Sequence, residues 1–180
     1  LQETDDGPQE VGTLEGVKVK ILIKGEEDDI RALRVELTSE SDLFFHYTHT
    51  SDTVSFRAIQ EEQKLMVDFK DYGSVLARSL NSAIKEPHTH LAVFVMHRDG
   101  HARLDFIQNM EYKFVELLSV DFARSADESV RQSITYRYNS MKSRLAIMQN
   151  RLAEVSHLVK LKNPSLLLQI QKPAARAAPS

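Results

Sequence analysis

Apolar and polar residues alternate in two segments near the N-terminus. In residues 17–24 valine and isoleucine alternate with lysine, apart from Leu22, and residues 33–38 repeat the pattern with arginine, glutamate and threonine. Period-two alternation is typical of a strand with one face on a core and the other in water. Gly25–Asp29 supplies the turn between them. These residues therefore predict a β-hairpin.

A second group of strands follows in the middle of the chain. Residues 91–97 are apolar on both faces, which indicates a central strand, and Arg98–Gly100 is a hairpin turn. Alternation resumes to a second turn at residues 108–111, and a last strand runs over residues 112–122. The pattern predicts a three-stranded antiparallel meander. It places Phe114 in the core, on the same face as Leu118, Val120 and Phe122.

Two helices are predicted between these groups of strands. Ser51 or Asp52 is a suitable N-cap for a helix that ends near Gln63. A second helix, residues 72–85, has one apolar face and ends before Pro87. The predicted fold is α+β: an antiparallel β-sandwich or barrel-like head with a two-helix insertion.

The last pattern is a heptad repeat, and it follows Ser125, which with Glu128 forms a capping-box sequence. Eight apolar residues recur at strictly alternating spacings of 4 and 3: Ile134, Tyr138, Met141, Leu145, Met148, Leu152, Val155 and Val159. This 3.5-residue period is that of a coiled-coil seam. A helix over residues 126–162 is roughly 55 Å long, longer than a small head, so we expect pairing with an identical chain. Packing along its own sheet is the alternative.

The predicted organisation has four parts. A polar, disordered N-terminus spans residues 1–10, the β-rich head 11–124, the coiled-coil helix 125–163 and a C-terminal tail 164–180. Asn163–Pro164 ends the long helix. Arg137, Arg144 and Arg151 all fall at the g positions beside the seam, and no e position of the heptad is acidic, so we expect a marginal dimer.

Composition and motifs exclude several function classes. The chain has 180 residues, a net charge of -3 and no cysteine. The near-neutral charge argues against nucleic-acid binding, and no apolar run approaches the ~20 residues of a membrane span. Catalytic and phosphate-binding motifs are absent, so we expect no catalytic residue, no cofactor and no enzyme. Four histidines, His88, His90, His97 and His101, leave zinc as a minor alternative, and no metal site is predicted.

Aromatic residues leave two questions open at this point. Phe44, Phe45 and Tyr47 are expected to pack in the core rather than stack on bases. Tyr112 follows the second predicted hairpin turn, where a large aromatic side chain either anchors a partner or packs on its own sheet.

Local motifs resemble the centriolar cartwheel family called spindle assembly abnormal protein six. Residues 37–47 are similar to its L-T-x-x-x-D-x-F-F-x-Y stretch, residues 65–69 to its L-x-V-D-F segment, and residues 112–118 to its F-K-x-L-x-H-L strand. The resemblance covers roughly residues 15–160. Tyr112 stands where the family usually has phenylalanine, and the heptads stop at Pro164 although the family's coil is long.

The resemblance implies assembly rather than catalysis. It implies that Tyr112 enters a pocket on a second head, with Met110 and Lys113 as peripheral contacts, and that the coils pair separately. Two distinct homotypic contacts on one chain build ring-like cartwheel oligomers, as a scaffold of the centriole or basal body in the cytoplasmic cytoskeleton, where other centriolar proteins are possible partners. The short coil leaves two possibilities, a longer native chain or the family's short flagellate paralogue with a structural role at the basal plate. A head-and-coil adaptor for a different partner chain is the further alternative.

Overall fold

The computed structural model describes residues 2–3, 14–26 and 29–171. They form seven strands and four helices in two compact units, one ending at Val130 and the other starting at Arg131. The elements, in order, are β1 Gln2–Glu3, β2 Val17–Glu26, β3 Asp29–Ser39, β4 His46–Asp52, α1 Thr53–Gln63, α2 Phe69–Lys85, β5 His90–Met96, β6 His101–Met110, β7 Lys113–Arg124, α3 Asp127–Lys162 and α4 Pro164–Gln171.

All strands of the head belong to one curled sheet. Its order is β1-β5-β6-β7-β4-β3-β2, and every pair is antiparallel except β1 with β5. The ring of Tyr47 on β4 lies 5.2 Å from that of Phe94 on β5, although β6 and β7 separate these strands in the sheet. The sheet therefore rolls around the core. The α+β class, the two-helix insertion and the long C-terminal helix are confirmed.

Helix α2 closes the open side of this sheet. Its buried residues Phe69, Tyr72, Gly73 and Leu76 recur at helical spacing and face β2, β3 and β5. A Cβ atom at Gly73 would lie 3.0 Å from Leu33 Cδ1, so the glycine allows the helix backbone to approach β3 closely. The helix begins at Phe69, three residues earlier than its sequence pattern predicts.

Strand β4 is absent from the sequence prediction, which has no strand between residues 39 and 51. One face carries the buried residues Tyr47, His49 and Ser51, and His46 is buried on the opposite face, so the strand lacks the apolar alternation that identifies other strands. His49 is satisfied on both ring nitrogens, with Nδ1 2.8 Å from the Asp121 carbonyl and Nε2 3.3 Å from the Tyr72 hydroxyl. Burial lowers the pKa of His49 and raises that of the Tyr72 phenol.

The ends of the helices match the sequence in part. Asp52 caps α1 as predicted, because its carboxylate accepts hydrogen bonds from the backbone N–H groups of Val54 and Ser55. The long helix α3 begins at Asp127, two residues after Ser125, and ends before Asn163. The Ser125 hydroxyl lies 2.8 Å from His46 Nδ1 and so joins the start of this helix to β4.

Both termini depart from the predictions where they are described. Gln2 and Glu3 pair with Val95 and Met96, so the expected disorder is wrong for these two residues. Helix α4 occupies residues 164–171, which we had predicted to be a tail. Residues 4–13 and 172–180, the rest of the predicted N-terminal segment and tail, lie outside the described residues.

Candidate functional site

The β6–β7 hairpin ends in a two-residue turn that contains Tyr112. Met110 pairs with Lys113, so the turn is Glu111–Tyr112 and not residues 108–111 as the sequence predicts. Tyr112 is therefore at the tip rather than at the start of the next strand. Tyr112 is 94% exposed, so it does not pack on its own sheet.

A β-bulge changes which side chains of this hairpin are buried. Phe106 pairs with Leu118, but the next residue, Ile107, pairs with Glu116, so Leu117 is extra in β7. After Leu117, the even-numbered residues of β7 face the core. Before Leu117, the even-numbered residues Phe114 and Glu116 face away from it. Phe114 is consequently 66% exposed, and the prediction that it belongs to the core is wrong. One inserted residue is sufficient because the side-chain period is two.

The hairpin now carries apolar side chains on both faces. Met110 lies opposite Lys113, and Asn109 opposite Phe114. Directly paired residues share a face and successive residues alternate, so Met110 and Phe114 lie on opposite faces. Both are exposed, at 49% and 66%. Tyr112 stands between them at the tip.

The base of the hairpin is held by polar contacts. The carboxylate of Asp105, which is buried, accepts a 2.6 Å hydrogen bond from Ser119 Oγ and lies 2.8 Å from Arg103 Nε. The hydrogen bond and charge of Asp105 raise the pKa of Arg103. The Asp105–Ser119 bond thus links β6 and β7 below the bulge.

An apolar cleft opens between α2 and the two ends of the curled sheet. Its volume is about 560 Å³. The apolar lining comes from β2, α2 and β5 and includes Val19, Ile21, Leu80, Ile84, Leu91 and Phe94. Asn81 and His90 add polar groups. No pattern in the sequence indicates this cleft, because its walls are far apart in the chain.

The heptad residues of α3 are mostly exposed in the single chain. Tyr138, Met141, Leu145, Met148, Leu152 and Val155 are between 55% and 70% exposed, and Ile134 and Val159 are partly buried. Arg144 and Arg151, at the flanking positions, are also exposed. A continuous apolar row of this length in water is typical of a helix that has a partner.

The other candidates are histidines and aromatic residues, and the described histidines form no metal site. Among the described residues no three histidine, aspartate or glutamate side chains are grouped as metal ligands. His90 Nδ1 lies 3.4 Å from the Glu86 carboxylate, an ordinary pair next to the start of β5. In the part of the chain that the structure describes, no helix is long and apolar enough to cross a membrane. Phe45 and Tyr47 are in the core as predicted, whereas Phe44 is 66% exposed.

The fold, the exposed tip of the β6–β7 hairpin and the exposed heptad row of α3 define a head-and-coil protein. In this class a β-rich head with a helical pair precedes a heptad helix. The family model described as the centriolar protein SAS N-terminal domain matches residues 1–122. The chain belongs to this family. The resemblance found in the sequence motifs is thereby confirmed.

Solved structures with the same fold come from several organisms. An N-terminal fragment of Leishmania SAS-6 with part of its coiled coil is 18% identical, covers 96% of this chain and 94% of that chain, and has a TM-score of 0.74. A fragment of Drosophila melanogaster Sas-6 dimerised via the coiled-coil domain is 16% identical, covers 82% and 81%, and has a TM-score of 0.66. An N-terminal coiled-coil dimer of C. elegans SAS-6 is 13% identical, covers 73% and 77%, and has a TM-score of 0.56. No curated protein matches the chain.

Proposed function

We propose that the protein is a structural component that assembles through two separate contacts between identical chains. Heads pair when Tyr112 of one head enters the apolar cleft of another, and α3 helices pair along their heptad seam. The observation that carries the proposal is the 94% exposure of Tyr112 at a hairpin tip, on a head that also has an apolar cleft. The role is non-catalytic.

The chemistry of the cleft suits this anchor. Its apolar walls accommodate an aromatic ring, and a buried tyrosine hydroxyl needs a hydrogen-bond partner, for which Asn81 and His90 are available. Met110 and Lys113 flank the tip and form the rim of the contact. One aromatic anchor with a small rim gives an interface below standard size, so the affinity is on the order of tens of micromolar or weaker.

The seam of α3 supports the second contact. Its exposed apolar row requires a partner, and the relatives from Drosophila and C. elegans are coiled-coil dimers. The seam has only about three and a half heptads, and it includes Met141 and Met148, which pack adaptably but specify little. The residues that a parallel dimer places opposite Arg144 and Arg151 are Gln149 and Ser156, which are not acidic, so these arginines add no ion pairs across the seam. We therefore infer a marginal parallel dimer.

Two different contacts on one chain propagate instead of closing into a dimer. They close into a ring when the angle between them is suitable. Each coil-linked dimer presents two heads, and ring closure adds avidity through effective concentration, so weak head contacts suffice. We infer from family membership that the product is a cartwheel-like scaffold of the centriole or basal body in the cytoplasmic cytoskeleton.

Sedimentation velocity of four versions of the chain, with electron microscopy of the largest species, tests this proposal. The wild type should form species beyond the dimer that grow with concentration. Tyr112→Glu should leave coil dimers, Leu145→Glu head dimers, and the double variant monomers. A wild type that stays dimeric at the highest concentration would contradict the proposal.

A head-and-coil adaptor remains as the second candidate, favoured by one observation. Arg144 and Arg151 are exposed and seven residues apart beside the seam, and the residues that an identical parallel chain places opposite them, Gln149 and Ser156, are not acidic. A partner helix with acidic flanking positions would fit better. In that case the wild type alone should sediment as a monomer or a head dimer, and Leu145→Glu should change nothing.

A further inference from the structure

Phe114 is an exposed aromatic side chain whose position the family motif does not assign. The bulge at Leu117 turns it out of the core, and it lies two residues from the tip. Its cross-strand partner Asn109 is polar, so the ring has no apolar neighbour directly opposite on its own hairpin. An aromatic ring that is 66% exposed on a projecting hairpin adds apolar surface that water solvates poorly.

We propose that Phe114 is a second aromatic contact of the head-to-head interface, received by the same apolar cleft of a second copy that receives Tyr112. The inference rests on the proposed function and adds a residue that determines its affinity and specificity. It follows from the arrangement of the hairpin faces and from the size of the cleft.

The faces of the hairpin favour a second contact beside Tyr112. Apolar side chains on both faces, Met110 on one and Phe114 on the other, leave one of them in water if the hairpin lies on a flat surface. A hairpin that inserts into a cleft is contacted on both faces. Insertion of Tyr112 therefore brings Phe114 against a wall of the cleft and removes its ring from water.

The volume of the cleft gives an independent argument. A dry cavity of about 150 Å³ holds one benzene molecule. The cleft, at about 560 Å³, is several times larger. A single tyrosine ring would leave much of it unfilled or wet, and apolar walls that stay wet contribute little affinity. Two aromatic rings from one hairpin match the available space better.

The occupant follows from the proposed head contact: Phe114 is continuous with the surface around Tyr112, which a second head receives in that proposal. The two residues are about 7 Å apart along the strand direction, so one partner surface covers both. Exposed apolar side chains around the cleft, Ile84 at 76% and Leu91 at 36%, can extend the contact beyond the tyrosine.

The test measures the dissociation constant of the head contact by sedimentation equilibrium, with Leu145→Glu present throughout to remove the coil contact. Phe114→Ala should weaken the contact about tenfold or more, as for an aromatic hot spot. Phe114→Leu should restore part of the loss. Glu116→Ala, on the same face and also exposed, is the matched control and should leave the constant unchanged. Thermal unfolding should be the same for all of them.

The outcomes distinguish a failure of this inference from a failure of the proposed head pairing through Tyr112. If Tyr112→Ala weakens the contact but Phe114→Ala does not, Phe114 lies outside the interface and the inference is wrong while head pairing stands. If neither substitution weakens the head contact, both the Phe114 inference and the proposed head pairing through Tyr112 are wrong. If Phe114→Ala acts only by lowering the thermal stability of the head, the inference is also wrong.

Discussion

The side-chain amide of Gln63 bonds to both backbone polar groups of Ser119. Its Nε2 donates to the Ser119 carbonyl at 2.7 Å, and the Ser119 N–H donates to its Oε1 at 2.8 Å. Gln63 is the last residue of α1, and Ser119 lies two residues from the bulge in β7. Since β4 pairs with β7 only at Ala123 and Arg124, the glutamine replaces the missing strand partner.

Gln63→Ala tests the importance of this substitute pairing. It leaves a partly buried N–H and C=O without partners, so the free energy of unfolding should fall by about 1–3 kcal/mol. Urea denaturation followed by circular dichroism measures it. Glu62→Ala, its exposed neighbour on the same helix, is the control and should have almost no effect. Equal stabilities for the two variants would show that the bonds to Ser119 do not support the hairpin.

Because of the bulge, we expect alanine substitution to change the stability of the head very differently at two apolar residues of β7. Leu118 is 3% exposed, so Leu118→Ala should cost about 2–5 kcal/mol of stability. Phe114 is 66% exposed, so Phe114→Ala should change stability by no more than about 0.5 kcal/mol. Thermal denaturation of the two variants decides the matter. A strongly destabilised Phe114→Ala head would place that ring in the core and disprove the bulge.

The stability of the head should depend on pH through His49. Burial lowers its pKa, so the folded state disfavours the charged ring while the unfolded chain titrates near pH 6.5. The unfolded state then binds more protons, and stability is complete above about pH 6.5 and is lost as the pH falls through the lower, folded pKa.

His49→Gln should flatten this part of the pH profile between about pH 7 and pH 5, at some cost in stability at neutral pH because Tyr72 and Asp121 lose their ring partner. The exposed His88→Gln is the control and should retain the wild-type slope. Denaturant melts at several pH values give the slopes. Parallel profiles for wild type and His49→Gln would contradict the assignment.

The coil contact should depend on a single seam residue. Leu145→Glu places an unpaired charge in the apolar seam of both chains, which costs several kcal/mol, more than a short seam supplies. Coil dimers should dissociate while the head stays folded. Ser143→Glu, on the outer side of the helix, is the control and should preserve the dimer. Unchanged sedimentation of Leu145→Glu would indicate that the seam does not pair.

The sequence predicted those elements whose periodicity has a single physical cause. The lysine-alternating strand β2 and the apolar face of α2 follow from burial of one face, and α3 follows from the 3.5-residue period of its apolar residues. Strand β4 was missed because its buried face consists largely of histidine and serine, whose burial depends on partners such as Asp121 that are distant in the chain.

The candidate site was predicted only in part. Tyr112 was recognised at the hairpin, but the exposure of Phe114 could not be predicted because one extra residue, Leu117, reverses the alternation without leaving a mark such as glycine. The cleft could not be predicted either, since it forms only where β2 and β5, about 70 residues apart in sequence, approach α2. Local patterns do not contain such long-range geometry.

The most direct test of the central claim locates the tip of one head on the surface of another. The sequence has no cysteine, so Lys113→Cys gives a single site for a nitroxide spin label beside an intact Tyr112. Mixed with isotope-labelled head, both with Leu145→Glu, the spin label should broaden the signals of Leu80, Ile84 and Leu91 in the cleft, and Tyr112→Glu in the spin-labelled chain should abolish the effect. Broadening confined to other surfaces, or its persistence in Tyr112→Glu, would contradict the account.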